Sequence, residues 1–393
     1  MPARGENAAS DRKGAVQREL DAHLTGLVDL SHTIHENPEL AFEEERAAGW
    51  VGESLAAAGF DVEQGACDLP TALIATAGQG PLVVAVCAEY DALPGIGHAC
   101  GHNVIAASAV GAGVALASMA DDLGITVKVI GTPAEEGGGG KIYMLERGAF
   151  AGVDAAMMVH PGPAELIQMP CLAVSHFDVH YTGREAHASA FPEAGLNAAD
   201  ALTVAQVGIG LLRQQFRAHD QVHGIVTKGG DAPNVIPAHT SAKYYVRAET
   251  LEALETLEAR VRRCFEAGAL ATGTEVELVQ QSPRYSEFVP HPGMQARYRS
   301  NAEDLGRTFP DVPKQVMMAS TDMANVSLAV PSIHPMLDID SLPAVNHQPE
   351  FAAAAITPTA DRALRDGALA MAWTIVDLAT DDSLRAELAS SSA

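Results

Sequence analysis

His98, Cys100 and His102 alternate within residues 97–103 (GHACGHN), directly after an apolar run and a Pro94-Gly95 turn. Imidazole and thiolate are the two favoured donors to zinc. The spacing matches no zinc finger, and His35-Glu36 lacks the second histidine of an HExxH helix. Taken alone, the loop suits a structural His/Cys turn as well as a metal site. A second signal is Pro133-Ala134-Glu135-Glu136, followed by a run of glycines and again preceded by an apolar run. Adjacent carboxylates can divide the work, one binding a cation while the other stays beside it as a base; the plain alternative is a solvated acidic loop. His160 follows the run 155–159 and precedes Pro161-Gly162, and His347 lies in Asn346-His347-Gln348-Pro349. A lone histidine after a strand is usually structural. Four such features in one domain offer a thiol, imidazoles and a carboxylate, enough for two metal ions, with one carboxylate to spare.

These residues need elements to carry them. The nearly continuous apolar runs 82–88, 125–130 and 155–159 predict strands buried on both faces of a mixed or parallel sheet. Sites in open α/β sheets form at strand carboxyl ends, which is where the motifs fall. Val16, Leu20, Leu24, Leu27, Val28 and Ile34 predict a helix ending near Asn37-Pro38, after a loose polar arm up to about Ala15. A second helix is predicted from Glu43 to Gly59. No Asp, Glu, Lys or Arg occurs between Asp91 and Asp121, but this stretch is rich in Ala and Gly and reads as a buried helix, not a membrane span.

From about Leu172 the texture changes. Residues 173–182 alternate, 197–216 have helical periodicity, 224–228 and 241–248 are strand-like, 251–267 form a charged helix and 275–279 alternate again. That order, β-α-β-β-α-β, is the ferredoxin-like pattern. After Pro283 the texture of the first part returns, with a β-like run at 333–339 and a long Ala-rich closing helix. The expected architecture is a discontinuous α/β/α catalytic domain with a mixed sheet, residues 1–171 and 284–393, interrupted by an inserted domain at 172–283.

Two domains suit 393 residues. Asp and Glu number 50 against 25 Lys and Arg, a net charge of −25, which disfavours nucleic acid and anionic membranes as partners. Five scattered cysteines without a CxxC pair, and an N-terminus without an apolar signal core, predict a cytoplasmic protein.

The motifs EYDALPG and GHACGHN, then PAEEGGGG, VHPG, GREAHAS, GGDAPNVIP, STDMANVS and NHQPEF occur in an order that resembles peptidase family M20, the aminoacylase and carboxypeptidase G type of dinuclear metallohydrolase. The resemblance runs from about His32 to Phe351. It is strongest to the amidohydrolase branch with a metal-binding Cys, which includes p-aminobenzoyl-glutamate hydrolase and Xaa-Arg (β-alanyl-lysine-type) dipeptidases. Asn103, where hippurate-type members commonly carry Asp, leans towards those two.

The resemblance implies that Cys100 bridges two divalent metal ions, one also held by Glu136 and His347, the other by His102 and His160. Zinc is the first expectation, with manganese or cobalt as alternatives. Glu135 would be the general base, and Asp91 would lie behind the ligands and tune them. Glu89 stands where other branches keep a metal-binding His; with His102 in that role, Glu89 is expected to be structural, and His98 a loop residue. His187 would reach the site of the other protomer in a homodimer and stabilise the oxyanion. Asn234 and Arg247 would grip the substrate carboxylate, the plain alternatives being a turn residue and a surface ion pair. Thr321 and Asp322 fall on a substrate-side loop, where Asp322 could equally be an N-cap. The implied reaction is hydrolysis of the amide bond of a dipeptide or N-acyl amino acid with a free carboxylate. The alternatives are N-deacetylation of an acylated diamino acid and a non-catalytic, metal-stabilised binding protein of the same fold.

Overall fold

The computed structural model describes residues 4–310 and 318–391. The chain divides into one unit of residues 1–170 and 288–393 and a second of 171–287. In the first unit, α1 (Arg4–Glu36) and α2 (Glu45–Ala57) precede β1 (Asp61–Gln64), β2 (Leu73–Ala77) and β3 (Leu82–Glu89). Then follow α3 (His102–Ala117), α4 (Ala120–Leu123), β4 (Ile125–Thr132), α5 (Gly140–Glu146), β5 (Ala155–Met157) and β6 (His160–Gly162). The polar segment expected as a loose arm is helical from Arg4. Lys13 ties it down: its Nζ donates to Asn301 (2.7 Å) and Asp377 (2.8 Å), and its carbonyl accepts from Trp373 Nε1 (3.0 Å).

The second unit comprises β7 (Ala173–Thr182), α6 (Ala198–Leu212), β8 (Gln221–Lys228), β9 (His239–Ala248), α7 (Leu251–Thr272) and β10 (Glu275–Gln280). The first unit resumes with α8 (Pro292–Asp304), α9 (Met323–Ala329), β11 (Ser332–Ile333), β12 (Met336–Asp338), α10 (Pro349–Ala354), α11 (Pro358–Thr380) and α12 (Asp382–Ser391).

The six-stranded sheet of the first unit runs β1-β2-β4-β3-β5-β11. β3 pairs in parallel with β4 and β5, β5 with β11, and the β1-β2-β4 edge is antiparallel, so the sheet is mixed. The segment expected as one strand at 333–339 splits at His334-Pro335. β11 stays in the main sheet, while β12 pairs with β6 in a separate two-stranded sheet. Proline supplies no N–H to a ladder, which favours the break there. β5 and β6 step apart in the same way, and His160 opens the strand that follows the step.

α3 has no polar stripe, because every residue from His102 to Leu116 is buried. Its small residues permit this. A Cβ on Gly113 would stand 2.5 Å from Val129 Cγ2 on the sheet, and one on Gly111 would stand 3.0 Å from Leu27 Cδ1 and 3.1 Å from Ala368 Cβ. The uncharged stretch is therefore a core helix wedged between sheet, α1 and α11. Among the described residues no helix is long and apolar enough to cross a membrane.

In the second unit the antiparallel order is β10-β7-β9-β8. Phe177, Val179 and Tyr181 of β7 alternate inward with Tyr244 and Val246 of β9, and pack on Leu254, Val261 and Phe265 of α7. Asn197 Oδ1 caps α6 by accepting from Ala199 N at 3.0 Å.

Gly113→Ala should destabilise the protein by about 1–3 kcal/mol through overpacking, despite alanine's better helix propensity. Gly26→Ala in α1, where an added Cβ meets nothing within 4 Å, should stabilise it by roughly 0.5–1 kcal/mol. Urea unfolding of both variants reads the two signs, and a harmless Gly113→Ala would contradict the wedged packing.

Candidate metal centre

β3 ends at Glu89, and Asp91 follows in the loop leading to α3. Gly101 precedes α3 at φ 78°, and a Cβ there would stand 2.4 Å from Pro161 Cγ. That close turn starts the helix at His102 with Cys100 beside it. After β4, Ala134 takes a left-handed φ of 58°, uncommon for a side chain with a Cβ. The buried Glu44 holds this turn, its Oε1 accepting from Ala134 N (2.9 Å) and Phe42 N (3.0 Å). Glu135 and Glu136 project from that turn. His347, also left-handed at φ 68°, is fixed by its N–H donating to Ala99 O at 2.8 Å.

These loops bring together Cys100, His102, Glu135, Glu136, His160 and His347. Cys100 Sγ lies 3.5 Å from His160 Nε2 and 3.6 Å from His347 Nε2, and the latter is 3.5 Å from Glu136 Oε2. Three groups have all their donor atoms within 4.8 Å of one another: Cys100-His102-His160, Cys100-Glu136-His347 and Glu89-His102-Glu135. Cys100 is common to the first two. His160 Nδ1 faces Pro161 O at 2.8 Å, which turns Nε2 inward. Asp91 Oδ1 is 2.9 Å from His102 Nδ1, and its Oδ2 accepts from Glu136 N at 2.9 Å. One carboxylate thus orients two donors. With Nδ1 directed at Asp91, His102 Nε2 is left to face Glu89, Glu136 and Glu135 at 3.6, 3.8 and 3.9 Å. His102 Nε2 and Glu136 Oε1 are buried without hydrogen-bond partners. Thiolate, imidazole and carboxylate at this spacing fit a divalent cation.

The electrostatics make the same demand. Burial, reinforced by the carboxylates of Glu89, Glu136 and Asp322, pushes Glu135 well above the usual carboxylate range. Against the cost of its burial, the Asp91 carboxylate holds His102 well above an ordinary imidazole, so positive charge is favoured at that ring. Burial pushes Glu44 up to about 7, with Asp91 adding to it. His98 stays outside all three donor groups; burial lowers it to about 3, and its ring sits 6.1 Å from that of His35.

Asp322 is fully buried, and its carboxylate accepts from Lys141 Nζ (2.8 Å) and Lys141 N (2.9 Å). It makes no side-chain cap to α9. Thr321 is also buried, its Oγ1 accepting from Met323 N at 3.2 Å. Sequence reasoning missed Lys141 and Glu44. A single lysine opening an otherwise apolar helical turn after the glycine run was the available signal for Lys141; Glu44 is hidden in the run Glu43-Glu44-Glu45.

The second unit holds His187, Asn234 and Arg247. His187 is exposed, and its Nδ1 accepts from Ser189 N and Ala190 N, both at 3.3 Å. With Nδ1 accepting, Nε2 is the ring nitrogen left to donate. Residue 187 bridges Val235, and Ala188 N donates to Asn234 O at 3.0 Å, so His187 and Asn234 share one loop pair. Arg247 lies at the far end of β9, opposite Val174. The eight residue steps from His239 to Arg247 span roughly 26 Å at about 3.3 Å per residue. Arg247 thus lies a strand's length from His239, the β9 end that the Asn234 loop precedes.

A centre of thiol, imidazoles and two adjacent glutamates at the carboxyl ends of the sheet strands suits metal-dependent hydrolysis, and comparison with known proteins gives that class. Residues 85–364 match peptidase family M20/M25/M40. The chain is 38% identical over 388 residues to the Xaa-Arg dipeptidase of Mus musculus, covering 93% of this chain and 88% of that protein. It is 34% identical over 279 residues to one of the subunits of p-aminobenzoyl-glutamate hydrolase from Escherichia coli, covering 66% and 58%. The fold is shared with a dinuclear metal-binding M20 peptidase from Bacillus subtilis (TM-score 0.66, 23% identity, 91% of this chain and 99% of that one). It is shared also with an aminobenzoyl-glutamate utilization protein from Klebsiella pneumoniae (TM-score 0.68, 20% identity, 89% and 98%). The chain belongs to peptidase family M20/M25/M40, and it is a metal-dependent amide hydrolase of that family.

Because Cys100 is common to two donor groups, Cys100→Ala should lower the content of both ions in folded protein and abolish hydrolysis. Elemental analysis of the purified variant checks this, and full occupancy with surviving turnover would refute the shared role.

Proposed function

We propose that this chain is a dinuclear metal-dependent dipeptidase or amidohydrolase that cleaves the amide bond of a dipeptide or N-acyl amino acid bearing a free carboxylate. The observation that carries the reading is Cys100, shared by two donor triads, with Glu135 beside them and outside both. Cys100, Glu136 and His347 would hold one ion, and Cys100, His102 and His160 the other. Zinc is the first choice for a thiolate and imidazole set, with manganese or cobalt able to compete by availability. Two bound divalent cations would lower the pKa of a water and polarise the scissile carbonyl. Glu135 takes the proton from the attacking water and returns it to the leaving amine. Asp91 keeps the His102 ring and the Glu136 backbone in register with that exchange.

His187, with Nε2 left to donate, would stabilise the oxyanion, and Arg247 and Asn234 would bind the substrate carboxylate. With Arg247 a strand's length from His239, we read a complete site as drawing on two chains of a homodimer. The second unit offers a surface for it. Val207 and Leu211 of α6 are 58% and 73% exposed, and Ile225 of the edge strand β8 is 64% exposed. An apolar stripe beside an open strand edge suits pairing with a second copy. The whole-length similarity to Xaa-Arg dipeptidases favours a dipeptide over an acetylated metabolite as substrate. Five free cysteines suit a reducing cytoplasm.

Glu135→Gln should keep both ions and lose about 10²- to 10⁴-fold in kcat, whereas Glu136→Gln should lose metal. Swapped phenotypes in metal analysis and turnover of an N-acyl amino acid and dipeptide panel would reverse the assignment. His187→Ala and Glu135→Gln should each be nearly inactive alone. After dissociation and random reassociation in equal amounts they should recover roughly a quarter of wild-type activity, since about half the dimers are mixed and each mixed dimer holds one intact site. Verified exchange of protomers without recovery would remove the cross-chain role of His187.

A further inference from the structure

Glu89, expected to be merely structural, closes β3 with its side chain fully buried. Its Oε1 lies 2.6 Å from Lys141 Nζ, and Lys141 is itself anchored twice on Asp322. Its Oε2 has no hydrogen-bond partner and faces His102 Nε2, equally unpartnered, at 3.6 Å. Buried polar atoms in native proteins are almost always paired, so two orphans facing each other call for something between them. The distance is too long for a hydrogen bond. It is close to the ~3.4 Å that separates two donors each about 2.1 Å from one tetrahedral ion. The Glu89, His102 and Glu135 donor atoms moreover form a group of their own within 4.8 Å.

We propose that Glu89 is an additional oxygen donor to the cation at His102, with Lys141 and Asp322 as the positioning residues that aim it. The proposal rests on the dinuclear reading above. Lys141 occupies one oxygen and leaves the other directed at His102, which also moderates the negative charge that a further carboxylate brings. Asp322 fixes Lys141 through both its side chain and its backbone N–H, so the donor is held by a buried, bracketed cation and not by a mobile surface residue. The two ions then differ in surroundings. The one at Glu136 and His347 meets a half-exposed imidazole, while the one at His102 meets a buried, oxygen-enriched set that shifts preference towards ions favouring carboxylate, such as Mn²⁺.

The test is titration of full-length, metal-free protein with Zn²⁺ and with Mn²⁺, in competition with a chromophoric chelator, alongside the absorption spectrum of the Co²⁺-loaded form. Glu89→Gln leaves Lys141 paired with Asp322, so the fold should persist. Glu89→Asp keeps the charge but withdraws the oxygen by one methylene. The expected result in both variants is one ion bound as in wild type and the other at least about tenfold weaker, the smaller effect typical of losing even an outer partner of a ligand. The Co²⁺ spectrum should change with it. Unchanged affinities overturn the proposal. So does equal weakening of both ions in Glu89→Gln with full recovery in Glu89→Asp, which would make Glu89 only a source of field. A wild-type chain that binds fewer than two ions removes the dinuclear reading itself.

Discussion

Five carboxylates, Glu89, Asp91, Glu135, Glu136 and Asp322, converge at the buried end of one sheet with Lys141 as the lysine among them. Negative charge at that density in a low-dielectric interior cannot persist uncompensated. Each local arrangement answers that constraint. Lys141 divides itself between Glu89 and Asp322, Asp91 satisfies one oxygen on His102 and the other on Glu136 N–H, and Glu44 spends an oxygen on the Ala134 turn. What remains, around Cys100 and His102 Nε2, is a set of donors suited to a bound cation.

The backbone serves this concentration of charge. The parallel strands β3, β4 and β5 deliver their carboxyl ends to one edge, and the following loops carry the donors. Left-handed residues at Ala134 and His347 are strained positions held by specific hydrogen bonds, the pattern of a functional site and not of a relaxed surface loop. Behind the edge, α3 is packed on all sides, so the first turn that bears His102 has little freedom to shift.

The second unit follows a different logic. Its inner face is an ordinary aromatic and aliphatic core, while Arg247 lies near the end of β9 and His187 and Asn234 lie in a loop pair outside its strands. The length of β9 separates Arg247 from the turn that precedes His239. The first unit gathers the buried carboxylates, and the second exposes apolar side chains on α6 and β8.

Much was legible before folding: the buried strands, the insertion between the two halves of the first unit, and Cys100, His102, Glu135, Glu136, His160 and His347 as candidates. Period-2 and continuous apolar runs report burial directly, and imidazole, thiol and paired carboxylates announce their chemistry wherever they lie. Three features emerged only from the folded chain. Asp322 and Lys141 lie 181 positions apart, and no local pattern reveals that one will neutralise the other. The break at His334-Pro335 that sends β12 to β6 depends on which strands happen to be neighbours. That Glu89 Oε2 and His102 Nε2 face each other unpartnered at 3.6 Å likewise depends on how the strand and α3 pack. Pairing of buried charge is a property of contacts between distant segments, and those exist only once the chain has folded.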